Sequence, residues 1–390
     1  MIYLFLLFLS IIFYTYFIFP ISVILLSKNK KINYEMYQKE NEMPSVSILI
    51  SAHNEQEIIK EKVLSIINCK YPTDKYEIIV GSDNSSDETN NIIKSLSKKY
   101  PFIQLITFNE RLGKSGVVNK LVKHARNNLL ILTDANIIFS KNTIFFLLRH
   151  FKNNNIGLID SNMINIGLKK SGISLQEKTY ISSEVKFKNA ESKLWGILMG
   201  PFGGCFAFRK ELFKPIPKGF VVDDFFICMN ILLSGYNTIN DLEAIVYEDV
   251  SNQLLEEFRR KRRISRGNFN NLYHFKKVLL NPCSRIGFIF ISHKVLRWVG
   301  PILLLFIFLI NYYLISINLI FKITFYLQLF LFLIPFFEQF LRKLGIHIII
   351  LRFITHFYIM NLALFIGMFD YLISTKKSYW KPTKRRQDEI

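Results

Sequence analysis

The distribution of apolar residues divides the chain into three regions. Residues 2–27 form a nearly uncharged apolar run, and a second apolar region extends over residues 286–374. Between them, short apolar runs alternate with segments in which apolar residues recur at helical spacing. At a rise of about 1.5 Å per residue, the first run can cross the hydrocarbon core of a bilayer as a helix. The pattern therefore predicts a soluble middle region between two membrane regions.

The middle region repeats a strand–helix unit. Four apolar runs have the length of buried strands, and helical patterns separate them: SVSILIS, YEIIVGS, FIQLITF and NLLILTD. Such repetition predicts an α/β fold with a mostly parallel sheet and helices on both faces. Ligands of these sheets bind at the carboxyl ends of the strands. We predict this domain over residues 45–275, after a polar linker at residues 32–44.

The amino-terminal run, residues 1–27, lacks the basic start and the cleavage site of a signal peptide, so it is predicted to be a retained anchor. Lys28, Lys30 and Lys31 follow it, and basic flanks favour the cytoplasmic side of a membrane. The middle region is therefore expected in the cytoplasm. Four cysteines without metal-ligand spacing agree with reduced thiols there: Cys69, Cys205, Cys228 and Cys283.

The carboxy-terminal apolar region, residues 286–374, contains three dense stretches, so three further spans are the simplest count. A basic tail at residues 375–390 follows. Three spans would place this tail outside, whereas its basic residues favour the inside. Either the tail is an exception, or one stretch is interfacial or re-entrant and begins with RIGFIFISHK.

Carboxylates follow three of the predicted strands. Glu55 lies in SAHNE after the first, Asp83 in GSDNSSDET after the second, and Asp134 in LTDAN after the fourth. Carboxylates at such ends can accept hydrogen bonds from a base or a ribose. A cation that bridges two phosphates takes most ligands from phosphate and water, so Asp134 with the neutral oxygen of Asn136 can suffice. A lone strand-end Asp is also an ordinary structural feature.

The segment NERLGKSGVVNK contains the GKS ending of a phosphate-binding loop. Phe108 stands where that loop requires glycine, which excludes the P-loop ATPase signature. Lys114 either contacts a diphosphate or is a solvated lysine of a turn.

Two further motifs contain a pair of glycines and a pair of aspartates, respectively. Gly203 and Gly204 precede an apolar strand, where they either let the backbone approach a sugar or mark a turn. Asp223 and Asp224 begin an apolar helix. One of the two fits a helix cap, and the other can act as a general base.

The chain carries a formal net charge of +20, and six basic residues fall within the eight positions 259–266. This run fits a solvated or lipid-facing basic surface. A nucleic-acid patch is a second interpretation, although no recognised binding fold accompanies it. An arginine that stabilises a diphosphate leaving group is a third, because the guanidinium fork suits it.

Taken in order, these motifs resemble the family-2 inverting glycosyltransferases, particularly their membrane-anchored cellulose-synthase-like branch. The resemblance covers residues 45–275 and implies a GT-A fold, a Rossmann-like sheet flanked here by transmembrane helices. It implies that Asp224 is the base, and that Asp134 with Asn136 holds Mg²⁺ or Mn²⁺. The nucleotide-sugar site would comprise Ala52, Glu55, Asp83, Lys114, Asp134, Gly203, Gly204, Asp223, Arg260 and Arg263.

Two departures from the family pattern bear on function. Asn136 replaces the second acid of Asp-x-Asp, although the resembled branch also tolerates Asp-Ala-Asn. Polymerising relatives carry Gln-x-x-Arg-Trp, whereas this chain has RKRRI at residues 260–264. We therefore expect a multi-pass enzyme of the inner or plasma membrane that moves a sugar from a UDP-sugar to a lipid-linked or growing glycan acceptor.

Two other hypotheses stay open. A processive polysaccharide synthase is the alternative enzyme, and an inactive membrane scaffold that binds nucleotide or nucleic acid is the third reading. The ordered carboxylates argue against the scaffold, and no nucleic-acid partner is expected.

Overall fold

The computed structural model describes residues 1–32, 35–39, 42–167, 173–249 and 252–373. The predicted tail at 375–390 lies outside these residues. Within them an eight-stranded sheet has the order β3-β2-β1-β4-β7-β6-β8-β5. Its strands are β1 Val46–Ala52, β2 Tyr76–Asp83, β3 Ile103–Phe108, β4 Leu129–Asp134, β5 Ile137–Phe139, β6 Ile156–Ile166, β7 Cys205–Arg209 and β8 Asn237–Asp249.

The sheet confirms the predicted α/β class and its mostly parallel character. Strands β1 to β4 pair in parallel, as do β6 and β8. Strand β7 runs antiparallel between β4 and β6, with Cys205 opposite Thr133. Residues that precede β7 therefore lie at the edge where β4 ends.

Helices cover both faces of the sheet. The helices of the sheet domain are α3 Ile59–Ile67, α4 Thr89–Lys99, α5 Gly113–His124, α6 Thr143–Leu148, α7 Ser174–Trp195, α8 Asp223–Leu233 and α9 Leu254–His274. Side chains of β1 alternate between the faces, as the period of a strand requires. Ile48 and Ile50 pack with Val63 of α3, whereas Leu49 packs with Val117 of α5.

The apolar regions form long helices. They comprise α1 Ile2–Phe13, α2 Phe19–Ser27, α10 Arg285–Ile289, α11 Leu296–Leu314, α12 Leu319–Lys343 and α13 Ile349–Ile373. Short π-helical turns join α1 to α2 and α10 to α11. By length and composition, four helical segments can cross a membrane: residues 2–27, 285–314, 319–343 and 349–373. The segment RIGFIFISHK thus forms the start of the second of these helices.

The apolar helices are docked on the sheet domain at α7. Phe19 and Val23 of α2 pack against Phe187 and Ala190 of α7. His293, which is fully buried, lies with its ring nitrogens 2.8 Å from carboxylate oxygens of Glu184 and Glu191. Helix α7 therefore holds two of the membrane-compatible segments, residues 2–27 and 285–314, against the domain.

Candidate active site

Three separate segments bring charged side chains together at the carboxyl edge of the sheet. Asp134 ends β4, Asp223 and Asp224 begin α8, and Lys114 lies in the first turn of α5. The Lys114 ammonium lies 2.8 Å from Asp134 Oδ1 and 3.7 Å from Asp223 Oδ1. One cation thus bridges two carboxylates from different elements.

The charges in this cluster shift one another. Burial opposes the charge of Lys114, but Asp134 and Asp223 outweigh it and raise the pKa of Lys114. Burial raises the pKa of Asp223, and Asp134 adds to that shift. For Asp224, burial and the charge of Asp223 raise the pKa to about 6. Asp224 is therefore a stronger base than an ordinary aspartate and is still ionised at neutral pH.

The two glycines before β7 have different surroundings. A Cβ on Gly203 would lie 2.5 Å from Asp224 Oδ2, so only glycine leaves space for that carboxylate. A Cβ on Gly204 would meet Met163 and Ile137 of the core at 2.6 and 2.9 Å. The Gly204 carbonyl accepts hydrogen bonds from the Asp134 N–H and the Thr133 hydroxyl. Gly203 therefore shapes the space around Asp224, and Gly204 fixes the end of β4.

Asp83 is buried beneath the start of α5. Its carboxylate accepts hydrogen bonds from the N–H of Leu112 at 2.6 Å, the N–H of Gly113 at 3.1 Å and Nε of Arg111 at 3.2 Å. An ionised carboxylate offers about four acceptor positions. Asp83 thus holds the turn that carries Lys114 and retains acceptor capacity.

The other predicted nucleotide contacts lie after β1. Ala52 is buried as the last residue of β1 and pairs with Ser82 of β2. Glu55 is half-buried, and its N–H donates to the hydroxyl of Thr89 at 2.8 Å. Both residues therefore lie at the edge that carries Asp83.

The basic run lies on α9, and most of its charges are paired. Arg259 and Arg260 bond to Glu256 and Glu257, Lys261 lies 3.4 Å from Glu177 of α7, and Arg262 bonds to Asp370 of α13. These four basic residues are therefore ion-paired and do not form a freely solvated basic surface.

Arg263 is a member of this run whose charge interacts with the acidic cluster. Burial and the nearby charge of Arg260 lower the pKa of Arg263, while Asp134 and Asp223 oppose the shift. The guanidinium is thus within electrostatic reach of both carboxylates. Of the two arginines singled out in the sequence, Arg263 interacts electrostatically with Asp134, whereas Arg260 forms an ion pair with Glu257.

The predicted metal ligands offer two oxygen donors. Asn136 follows β4 by two residues, and its side-chain NH₂ donates to Glu248 of β8 at 3.4 Å. Among the described residues, no group of three or more His, Cys, Asp or Glu forms a preformed metal site. Asp134 with the amide oxygen of Asn136 fits a hard cation that takes its other ligands from a diphosphate and water.

A buried pair behind Asp224 has no signature in the sequence. The Lys188 ammonium lies 3.9 Å from Asp160 Oδ2 and 3.6 Å above the ring of Phe202. Among the smaller effects on Asp224, the charge of Lys188 lowers its pKa. Lys188 follows Phe187 in the middle of α7, where no motif distinguishes it from a surface lysine.

Two known proteins are similar to this chain in sequence. The chain is 27% identical over 245 residues to the probable glycosyltransferase YdaM of Bacillus subtilis, covering 58% of this chain and 56% of that one. It is 26% identical over 180 residues to the beta-monoglucosyldiacylglycerol synthase of Trichormus variabilis, covering 45% of this chain and 38% of that one. The matched regions thus span about half the length of these relatives or less.

A solved structure shares the fold over nearly the whole chain. The mannosyltransferase PcManGT from Pyrobaculum calidifontis, in complex with GDP-Man and Mn²⁺, superposes with a TM-score of 0.69 at 20% identity. The superposition covers 95% of this chain and 99% of that one. The sheet domain therefore has the GT-A fold.

Two family models match consecutive parts of the chain. Residues 47–216 match glycosyl transferase family 2, and residues 190–368 match glycosyl transferase family group 2. The first contains Asp83, Lys114 and Asp134, and the second contains Asp223 and Asp224 together with the apolar helices as far as residue 368. The matched residues 47–216 therefore carry the sequence pattern of glycosyl transferase family 2.

Proposed function

We propose that this protein is a membrane-bound inverting glycosyltransferase of the cellulose-synthase-like branch. It transfers a sugar from a UDP-sugar to a hydroxyl of a lipid-linked or growing glycan acceptor, with its sheet domain in the cytoplasm. The observation that carries this proposal is the cluster in which Lys114 bridges Asp134 and Asp223 beside Asp224. That cluster supports the proposal of a base beside a site for an anionic leaving group.

Asp224 is assigned as the general base. Its carboxylate takes the proton of the acceptor hydroxyl, and the acceptor oxygen forms a bond to the anomeric carbon. The bond from that carbon to the diphosphate oxygen breaks on the opposite side, so the configuration inverts and UDP leaves with the electron pair. The raised pKa of Asp224 suits proton removal near neutral pH. Gly203 leaves the space that the Asp224 carboxylate occupies.

Positive charge beside the base favours departure of the diphosphate. Lys114 contacts Asp134 and Asp223, and Arg263 is within electrostatic reach of both carboxylates. Ordered cations of this kind stabilise charge that develops on a leaving group. Asp134 and Asn136 would hold Mg²⁺ or Mn²⁺, which would supply Lewis-acid neutralisation of the diphosphate. The Mn²⁺ in the mannosyltransferase structure supports the use of a divalent cation.

Relatives and helices support the choice of acceptor. The name of the Trichormus variabilis relative describes a synthase of a glycosylated diacylglycerol, which favours a lipid-linked acceptor here. Four helices that can cross a membrane would hold the site close to such a lipid. The RKRRI sequence of α9 lacks the Gln and Trp of polymerising relatives, so we propose addition of single sugars.

A transfer assay tests the base assignment. The full-length protein in detergent is incubated with a panel of UDP- and GDP-sugars, a lipid acceptor and Mg²⁺ or Mn²⁺. Asp224→Asn should lower the transfer rate by about 10²- to 10⁴-fold, the usual contribution of a general base. Asp74→Asn, in an exposed turn before β2, serves as the matched control and should retain the parent rate. Equal rates for Asp224→Asn and the parent would refute the assignment, and a polymer ladder would refute single addition.

A second pair of variants tests the division of the metal site. Asp134→Ala removes the anionic donor, and we expect it to abolish transfer. Asn136→Ala removes a neutral oxygen and should have the milder effect. Equal losses for the two variants would contradict the assignment of Asp134 as the principal ligand.

A further inference from the structure

Helix α13 is bound to the sheet domain at two widely separated points. His356 Nε2 lies 2.9 Å from Glu177 Oε1 on α7. Asp370 accepts two hydrogen bonds from Arg262 on α9, at 2.5 and 2.8 Å. These two residues of α13 are separated by about 21 Å along the helix axis, at about 1.5 Å per residue. The sheet domain therefore contacts α13 along most of its length.

Close packing joins α13 to α9 between and beyond these points. A Cβ on Gly367 would lie only 2.3 Å from the carbonyl oxygen of Arg262. The Ser265 hydroxyl donates to the carbonyl of Leu364 at 2.6 Å. The ring of Tyr371 stacks on that of Phe269, with centroids 6.2 Å apart. The two helices thus lie against each other without an intervening layer.

The composition of α9 excludes it from the hydrocarbon core. It carries six basic residues within eight positions, and the Arg259 side chain is 64% exposed. Charged side chains are costly in hydrocarbon. If α13 spanned the bilayer, His356 and Asp370 would differ in depth by about 21 Å. Their partners on α7 and α9 would then have to lie at the same depths. Residues 356–370 of α13 must therefore stay at the depth of α9.

The opposite face of α13 is apolar and exposed. Ile350 is 71% exposed, Leu372 67% and Ile373 80%. The helix also follows α12, which can span a membrane and is separated from α13 by a short turn. An apolar face that lies beside a spanning helix and away from the charged α9 fits the interfacial region of a lipid bilayer.

We propose that α13 lies flat in the membrane surface on the side of the sheet domain and contacts lipid with its outward face. The chain then crosses the membrane three times, through residues 2–27, 285–314 and 319–343. With three crossings, the end of α13 lies on the side of the sheet domain. This inference rests on the proposed membrane location and is independent of the transfer chemistry.

Cysteine labelling of the full-length protein in membrane vesicles tests the topology. Cys283→Ser removes the one exposed cysteine among the described residues, since Cys69, Cys205 and Cys228 are buried. Single cysteines are then introduced by Lys60→Cys on α3, Ser316→Cys between α11 and α12, and Ser378→Cys in the tail. In each vesicle orientation, a membrane-impermeant maleimide should label Ser378→Cys together with Lys60→Cys. Ser316→Cys should react only in the other orientation.

The outcomes separate the two proposals. Labelling of Ser378→Cys together with Ser316→Cys would overturn the flat placement of α13. Labelling of all three cysteines in intact vesicles of either orientation would overturn the membrane location itself.

Depth measurements test the flat placement directly. Spin labels at Ile350, Leu362 and Ile373 should report one depth in the bilayer, although the outer two are about 34 Å apart along the helix. Labels at Ile320 and Phe337 of α12, also exposed positions, form the matched control and should differ in depth. A graded depth along α13 like that along α12 would refute the inference.

Discussion

At the scale of single residues, the protonation of Asp224 should govern the pH dependence of transfer. Burial and Asp223 raise its pKa to about 6, while Lys114 and Lys188 lower it. Because the base must be ionised, kcat should fall about tenfold per pH unit below pH 6 and level off above it. A pH profile of kcat from pH 4.5 to 8.5 measures this, and a profile flat across pH 6 would contradict it.

Lys188 offers a matched test of the same carboxylate. Lys188→Met removes a nearby cation, so the midpoint of the kcat profile should move to higher pH. Lys186→Met, an exposed lysine of the same helix, should leave the midpoint in place. An equal midpoint for both variants would show that Lys188 does not act on Asp224.

Lys114 should compete with a metal ion for Asp134. Its ammonium lies 2.8 Å from Asp134 Oδ1, so a cation that binds there without nucleotide must displace an ion pair. Lys114→Met should therefore bind Mn²⁺ about 5- to 30-fold more tightly in the absence of a nucleotide-sugar, the effect of about one to two kcal/mol. Titration of free Mn²⁺ by electron paramagnetic resonance measures this affinity.

The Mn²⁺ titration needs a control variant. Asp134→Ala, as the control, should bind Mn²⁺ more weakly than the parent. If Lys114→Met and the parent bind Mn²⁺ equally, Lys114 does not hold the site closed to metal.

The role of a side chain could be predicted where the residue belongs to a recognisable motif. It could not be predicted where that role depends on a partner that is distant in sequence. Asp134, Asp223 and Lys114 were singled out from the sequence, and the structure brings them together. Asp83 was expected to face a nucleotide, and its bonds to Leu112 and Gly113 were not foreseen, because only the fold makes them neighbours.

At the scale of elements, the direction of β7 explains which loops reach the site. The carboxyl-end rule predicts the positions of Asp83 and Asp134 at one edge. Gly203 precedes a strand, and it reaches that edge only because β7 runs antiparallel to β4. Apolar periodicity predicts a strand at CFAFR but does not predict whether this strand runs parallel or antiparallel to its neighbours. The glycines could therefore be identified from the sequence, whereas their contacts could not.

The contact between α9 and α13 should be sensitive to one added methyl group. Gly367→Ala would place a Cβ 2.3 Å from the carbonyl oxygen of Arg262, which forces the helices apart. Overpacking of this kind typically costs about 1–3 kcal/mol. We expect a lower unfolding temperature in detergent and slower transfer, because α9 also carries Arg263.

Leu362→Ala, on the exposed face of α13, is the control for Gly367→Ala. It should unfold at the temperature of the parent and retain its transfer rate. If Gly367→Ala also behaved like the parent, the close approach of α13 to α9 would be wrong.

At the scale of the whole molecule, a buried ionic cluster fixes the apolar helices to the sheet domain. His293 contacts Glu184 and Glu191, and Arg297 lies 2.7 Å from Glu184. Removal of one partner from such a cluster leaves a buried charge uncompensated, which costs about 3–5 kcal/mol. His293→Ala should therefore lower the free energy of unfolding by that amount in a denaturant titration.

His124→Ala, at an exposed position of α5, is the control for His293→Ala and should be neutral. A neutral result for His293→Ala would mean that the other contacts between the apolar helices and the sheet domain hold the two parts together without the ionic cluster.

The membrane helices could be found from hydropathy, but their placement could not. The amino-terminal apolar run and the three dense stretches of the carboxy-terminal region form helices of spanning length. Arg352, His356 and Asp370 interrupt the apolar sequence of α13, and their partners lie on α12, α7 and α9. Such residues only lower the hydropathy of the segment, because hydropathy contains no information about the groups that pair with them.

The attachment of α13 to α9 gives the enzyme a mechanical link to its surroundings. A helix that lies in the membrane surface experiences the lateral pressure of the lipids around it. Through Asp370 and Arg262, any displacement of α13 is passed to α9, which carries Arg263, and the charge of Arg263 interacts with Asp134. The rate of sugar transfer should then vary with the tightness of lipid packing, even when donor, acceptor and metal are all saturating.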